Sequence, residues 1–393
     1  MHQNLKRIRV PAILSLTLLA SVGAVSPRNT LAGPAAPIEG ASPVVILPEP
    51  SPHWVYLIDH SSSLVVTNIT VVDGDAGKVV GTISSSFLPN FVITPDAHTI
   101  YVSETYWSRG TRGVRSDMIT AYSPRTLVPS TEVELPSGRL LANGKKYGLS
   151  LSADGHYLFS ANMRPGTSVS VIDLKNSTWV TEIETPGCFL AYPTGVASFA
   201  SVCGNGALMN VSISATGEVR KAVTRPFFNP ERDPVFDAPA MVSGDDHFYF
   251  VSYHGQVWPV TRVDGRAEPG PSWNILTEEE RRSGWRPGGF YQLLAVHAKH
   301  KRLFVLMHQG GEWTHKQYGT QVWVVNTETG RVVRRDSLVA PASSIAVTLD
   351  DDALLFAINE STLSVYRIVG DSLRHVRDVK NVGASFMSVL GEG

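Results

Sequence analysis

Four histidines, His297, His300, His308 and His315, fall in one stretch of the chain close to Glu312 and Trp313. Grouped imidazoles of this kind serve as metal ligands or proton carriers when they face one another. The spacing does not impose a common face, and hydrogen-bonded loop histidines satisfy the same pattern. Asp117, Glu132 and Glu134 supply carboxylates, but Glu132 and Glu134 belong to an alternating polar segment in which charge is simply solvated. Arg109, Arg112 and Arg115 lie in a glycine-containing loop, SRGTRGVRSD, that could grip a carboxylate or form salt bridges of its own. The signatures of haem attachment, zinc hydrolysis, serine nucleophiles and nucleotide phosphates (Cys-x-x-Cys-His, His-Glu-x-x-His, Gly-x-Ser-x-Gly, the P-loop) are missing. Gly204-Asn205-Gly206 reads as a turn, not a dinucleotide fingerprint. No catalytic residue, metal ligand or cofactor-binding residue is therefore assigned to this chain.

Cys188 and Cys203 are the only 2 cysteines. In an exported chain such a pair favours a disulfide, which over this loop length contributes on the order of 3 kcal/mol; two buried thiols are the alternative. The N-terminus indicates export. Lys6, Arg7 and Arg9 precede an apolar run from Val10 to about Val25, and small residues offer cleavage after Ala24 or Ala32. Residues 1–32 thus read as a secretory signal peptide, the run being shorter than the roughly 20 residues of a spanning helix. Residues 33–52, rich in Pro, Ala and Gly, read as a flexible segment. With 34 basic against 35 acidic residues and no Lys/Arg stripe, charge speaks against a nucleic acid or an anionic membrane as partner.

The elements that must position any site come from a repeat. Its first part is two apolar strands around a Ser/Thr-x-Asp-Gly turn, clearest in Leu149 to Ala161 (LSLSADGHYLFSA). Its second part is a Val-x-Val-x-Asp strand, a turn and a more polar strand, as in Ile69 to Ile83 (ITVVDGDAGKVVGTI). Seven such units, spaced about 40 to 65 residues apart, predict an all-β fold over 53–393: a seven-bladed β-propeller of four-stranded antiparallel blades. A single blade cannot bury both faces, so the ring must close, with either Ala384 to Val389 or Pro43 to Leu47 completing a blade from the other terminus. Asn274 to Ser283 interrupts the pattern as a short helix in the fifth blade, with Thr277 as N-cap, Glu280 at the capping-box spacing and Gly284 as its stop. Composition and pattern alone give an exported propeller, and fold does not specify function.

Four segments add to this: RGVRSDMITAYSPRTLVPSTEVELP (Arg112 to Pro136), LTEEERRSGWRPGGFYQ (Leu276 to Gln292), GEWTHK (Gly311 to Lys316) and the cysteine pair with its Cys203-Gly204 turn. Together they resemble the heavy subunits of quinoprotein amine dehydrogenases, the methylamine and aromatic amine types, from about Trp54 to the C-terminus. DPVFDAPA and VSYHGQV are closer to the aromatic amine type, SFLPN and TEEERRSGWRPGG to the methylamine type, so the resemblance leaves the amine open. It implies a periplasmic heterotetramer of two heavy chains and two small disulfide-rich light chains. The light chain would carry tryptophan tryptophylquinone, primary amines would be oxidised to aldehyde and ammonia, and electrons would pass to a blue-copper protein. It places Phe87 at the mouth of the substrate channel, where packing between blades is the rival reading, and pairs Cys188 with Cys203 as an intrachain disulfide. Trp107, Trp285 and Trp313 are candidates for the surface meeting the light chain. A stand-alone lactonase-like propeller hydrolase and a non-enzymatic binding propeller are the rival functions.

Overall fold

The inner strand of each repeat is apolar on both faces and the outer strand is polar, and this gradient dictates where each lies. Ser344–Val347 is buried throughout, whereas Val219–Val223 is almost entirely exposed. In the computed structural model, which describes residues 45–60, 66–136, 138–141 and 145–392, the strands form seven antiparallel sheets. Each sheet is a blade of four strand positions, and inner strands of successive blades lie side by side, making a seven-bladed β-propeller. Three blades have one position split into two short strands. In the third, Gly138–Arg139 and Leu149–Leu151 both pair with Tyr157–Arg164. In the sixth, Trp285–Pro287 and Leu294–His297 both pair with Arg302–Gln309.

The first blade closes the ring. Phe386–Val389 pairs antiparallel with Trp54–Ile58, setting Val55 opposite Val389 and Ile58 opposite Phe386. Of the two expected closing segments, Pro43 to Leu47 does not serve. Pro43 and Val44 lie outside the described residues, and Val45 to Leu47 forms no strand. The Leu47 N–H donates to the Arg125 carbonyl at 2.7 Å, so this backbone is engaged at an outer turn of the second blade. The expected signal peptide and residues 33–44 also lie outside the described residues.

Between blades the core is built largely of buried apolar side chains. Phe159 of the third blade packs against Phe199 of the fourth with ring centroids 5.1 Å apart, and both are fully buried. Burying such a ring contributes about 1.5–3 kcal/mol, so the hydrophobic term dominates ring stability. Asp154-Gly155 and Thr329-Gly330 turn with glycine at φ 70° and 67°, the left-handed region that Gly enters without strain. The helix covers Glu278–Arg282, beginning directly after the expected N-cap Thr277, while Trp273–Asn274 at the head of the segment forms a strand in the fifth blade. Its capping box is complete: Thr277 Oγ1 accepts from the Glu280 N–H at 3.2 Å, and Glu280 Oε2 accepts from the Thr277 N–H at 2.8 Å.

Candidate functional site

In a four-stranded antiparallel blade, the turns joining strands one to two and three to four leave from one edge. Those joining strands two to three, and one blade to the next, leave from the other edge. The short turns 94–99, 264–265 and 370–371 lie on the first edge, and the long connections 108–114, 224–239, 275–284 and 310–318 on the second. One face of the propeller is thus built of loops on a rigid scaffold, the usual setting for recognition.

Phe87 sits on that face, between Lys78–Ser85 of the first blade and Asn90–Ile93 of the second. It is half-buried, whereas Ser85, Ser86, Leu88 and Pro89 around it are buried. It is not among the residues of the two apolar clusters that flank the junction of the first and second blades. Its backbone is tightly held. Arg139 Nη2 donates to the Phe87 carbonyl at 2.6 Å and Nη1 to the Leu88 carbonyl at 3.0 Å. His60 Nε2 reaches the Pro89 carbonyl at 2.8 Å, and Ser86 Oγ accepts from the Thr105 N–H at 2.8 Å. Burial pushes the His60 pKa down, which keeps the ring neutral and makes Nε2 the protonated donor to that carbonyl. Burial likewise lowers Arg139 to about 10, opposed by Asp117, so the guanidinium stays charged at neutral pH.

The three arginines of the neighbouring loop do not converge on a ligand. Arg115 turns inward, with Nε 2.9 Å from Asp117 Oδ1 and Nη2 2.9 Å from the Arg139 carbonyl. Arg109 and Arg112 are exposed. Asp117 is buried in this network, while Glu132 and Glu134 are exposed on an outer strand.

The four histidines are divided between the two faces. His297 approaches the Asp350 carbonyl at 2.9 Å on the short-turn side and stacks on His300 at 4.1 Å. His308 and His315 lie on the loop side, where His308 Nε2 is 2.9 Å from Thr314 Oγ1 and His315 stacks on Tyr253 at 4.1 Å. Burial, then the charge of Arg286, pushes His308 down to about 4, so it is neutral at physiological pH. Among the described residues no three His, Cys, Asp or Glu side chains are placed to hold a metal ion.

Near the axis the loops enclose a recess of roughly 330 Å³ lined by Lys145, Asp237, Tyr253, Phe290, Tyr291 and Phe386, among others. Phe290 is 42% exposed, and its ring meets Tyr291 edge-on at 4.5 Å. Tyr291 in turn meets Phe386, the first residue of the closing strand, at 5.6 Å. Sequence reasoning missed Phe290, Tyr291 and Tyr253. The available signal was the preceding Gly288-Gly289: a Cβ on Gly289 would lie 2.9 Å from the Ser343 carbonyl oxygen, so only glycine brings the aromatic pair this close to the axis. Of the three tryptophans singled out, Trp313 is 52% exposed and meets Tyr253 edge-on. Trp285 packs on buried Trp323, and Trp107 lies beneath the Arg115 guanidinium. Cys188 and Cys203 face each other across two strands of the fourth blade and are disulfide-bonded, with Cα atoms 3.9 Å apart.

Comparison with known proteins bears on this arrangement. The sequence profile of the family described as "Methylamine dehydrogenase heavy chain (MADH)" matches residues 52–390. The methylamine dehydrogenase heavy chain of Paracoccus versutus is 30% identical over 343 residues, covering 86% of this chain and 80% of the relative. That of Methylophilus methylotrophus is 26% identical over 357 residues, 91% of this chain and 88% of the relative. Among solved structures, a protein of unknown function from Desulfotomaculum acetoxidans superposes with a TM-score of 0.58 at 11% identity, covering 87% of this chain and 100% of that one, a likeness of fold alone. A profile match running through all seven blades, with the loop-side segments included, shows that the chain belongs to the methylamine dehydrogenase heavy chain family.

Proposed function

We propose that this chain is the heavy subunit of a periplasmic amine dehydrogenase, exported by the signal sequence at 1–32. Its loop-rich face receives a small light chain and forms one wall of the path by which a primary amine enters. The observation that carries this reading is Phe87, a half-exposed phenyl ring whose backbone carbonyl, and the two that follow, are each held by a buried donor. An apolar ring fixed at a channel mouth excludes water and screens amines by width, and it needs no titratable group of its own. The light chain's tryptophan tryptophylquinone would supply the electron sink for oxidising the amine to aldehyde and ammonia, with a blue-copper protein as acceptor. The contribution of this chain is shape, dryness and orientation. Trp313, with Tyr253 behind it, offers a rigid aromatic contact for the light chain.

The test is production of the heavy chain alone and together with a small, cysteine-rich candidate light chain. Methylamine, the amine in the relatives' names, is the first substrate, followed by an aromatic amine. Quinone absorbance and amine-dependent dye reduction are expected only in a co-purifying complex. Turnover by the isolated heavy chain, or failure to retain the light chain through gel filtration, would refute the reading.

A further inference from the structure

One planar group holds two adjacent carbonyls of the Phe87 turn. Arg139, 1% exposed, lies on a two-residue strand, Gly138–Arg139, that joins the third blade through Asn162. Its fork spans two successive carbonyls, those of Phe87 and Leu88, while Nε donates to Thr105 Oγ1 at 2.8 Å. Two donors of fixed geometry on adjacent carbonyls set the orientation of the peptide between them, which a single lysine ammonium does not do. The same turn carries Leu88 at φ 43°, a left-handed conformation that an L residue keeps only when its surroundings enforce it. The arginine is itself held from behind. Its N–H donates to Asp117 Oδ2 at 3.0 Å, and Thr105 Oγ1 donates to Asp117 Oδ1 at 2.5 Å.

We propose that Arg139 is a positioning residue for amine selectivity, fixing how far the Phe87 ring projects and thereby the width of amine admitted. This rests on the reading of Phe87 as a channel residue. Even with Asp117 and Glu104 near it, a buried guanidinium loses more hydration than an apolar side chain of similar volume at a blade junction, and what it gains here is a fixed direction for two carbonyls of the Phe87 turn. Loosening the clamp lets Leu88 relax and the ring swing, which widens the opening and favours bulkier amines over methylamine.

The experiment uses the assembled heavy–light complex with the variants Arg139→Lys, Thr105→Val, Phe87→Ala and the double variant Arg139→Lys/Phe87→Ala. The readout is the ratio of kcat/KM for methylamine to that for 2-phenylethylamine, with kcat and KM resolved separately. Arg139→Lys is expected to move the ratio about tenfold toward the bulkier amine, chiefly through KM, the scale on which small changes of pocket width discriminate. Thr105→Val, which removes the hydroxyl's bonds from Arg139 and to Asp117 but leaves the charges and both carbonyl contacts in place, moves it the same way by less. In the Phe87→Ala background the arginine change has no further effect, because the ring through which it acts is gone. Should Phe87→Ala alone shift the ratio while Arg139→Lys and Thr105→Val assemble and leave it unchanged, the role of Arg139 is refuted and the channel reading stands. An unchanged ratio in Phe87→Ala refutes both. An Arg139→Lys effect of equal size with and without Phe87 also refutes the proposal, since the arginine would then act by another route. If Arg139→Lys fails to assemble, Thr105→Val with and without Phe87→Ala decides the matter by the same criteria.

Discussion

Gly288 is pressed against an imidazole: a Cβ built on it would lie 1.8 Å from His308 Nδ1, whereas one on Gly311 in the next loop would meet nothing within 4 Å. His308 cannot easily retreat, being buried and hydrogen-bonded to Thr314. Gly288→Ala must therefore displace either the ring or the backbone that leads into Phe290 and Tyr291. It is expected to cost about 1–3 kcal/mol, the range for overfilling a packed site. Gly311→Ala should stay within about 0.5 kcal/mol, as surface substitutions do. Urea unfolding of the two variants checks this, and equal losses would contradict the geometry. The sequence reveals unevenly what matters at this scale. The capping pair Thr277 and Glu280 is readable because its partners are three residues apart. Arg139 is not, since its partners at residues 87, 88, 105 and 117 come together only through blade packing. Arg115 is conspicuous in a run of loop arginines, yet it points inward at Asp117 and leaves only Arg109 and Arg112 to solvent.

At the scale of elements, the repeat made the strands legible because every blade uses the same gradient from apolar inner strand to polar outer strand. The structure departs from the reading where tertiary pairing competes with local pattern. Asn274 carries a helix-like context but pairs with Gln256, which leaves Glu278–Arg282 as the whole helix. The closing strand was ambiguous for a related reason, since Pro43 to Leu47 and Ala384 to Val389 are both short apolar segments near a terminus. Only the register settles it, by placing Met387 opposite Leu57 in the interior. So short a helix has little intrinsic stability and depends on its cap and on tertiary anchors such as the ion pair of Glu280 with Arg335 at 2.7 Å. Thr277→Ala removes the acceptor for the Glu280 N–H and should cost about 1 kcal/mol. Because the helix is exposed, the loss should be local. Hydrogen exchange is expected to accelerate at residues 278–282 while the blade strands stay protected, and general deprotection would show that the helix helps hold the fifth and sixth blades together.

For the whole molecule the decisive region is the junction of the seventh blade with the first, because the first blade's own inner pair, Phe386–Val389 and Trp54–Ile58, comes from opposite ends of the described residues and is joined only by non-covalent contact. Beside the closing strand, His53 spans this junction, with Nδ1 2.6 Å from Asp75 Oδ2 of the first blade and Nε2 3.0 Å from Asp350 Oδ2 of the seventh. A neutral imidazole has one N–H, so between two carboxylates it leaves a lone pair facing an anion; the imidazolium donates to both. Burial opposes protonation, but the bonds to Asp75 and Asp350 more than offset it and hold the His53 pKa above its ordinary 6.5. Burial also opposes ionisation of Asp350, yet hydrogen bonds from Thr348 and His53 keep its pKa below the usual carboxylate value, so it is charged throughout the histidine's range. A histidine whose folded pKa is raised contributes stability that is fully present below its unfolded pKa and is lost as pH rises through the folded one. His53→Gln, which keeps one donor and one acceptor but cannot take up charge, should therefore be markedly less stable than the parent at about pH 5.5. It should converge on the parent by about pH 8.5 as the histidine loses its proton. Urea midpoints of both proteins at the two pH values measure this. A deficit that is the same at both would mean that the junction is held by the pairing of Phe386–Val389 with Trp54–Ile58, and that the histidine bridge adds nothing that depends on charge.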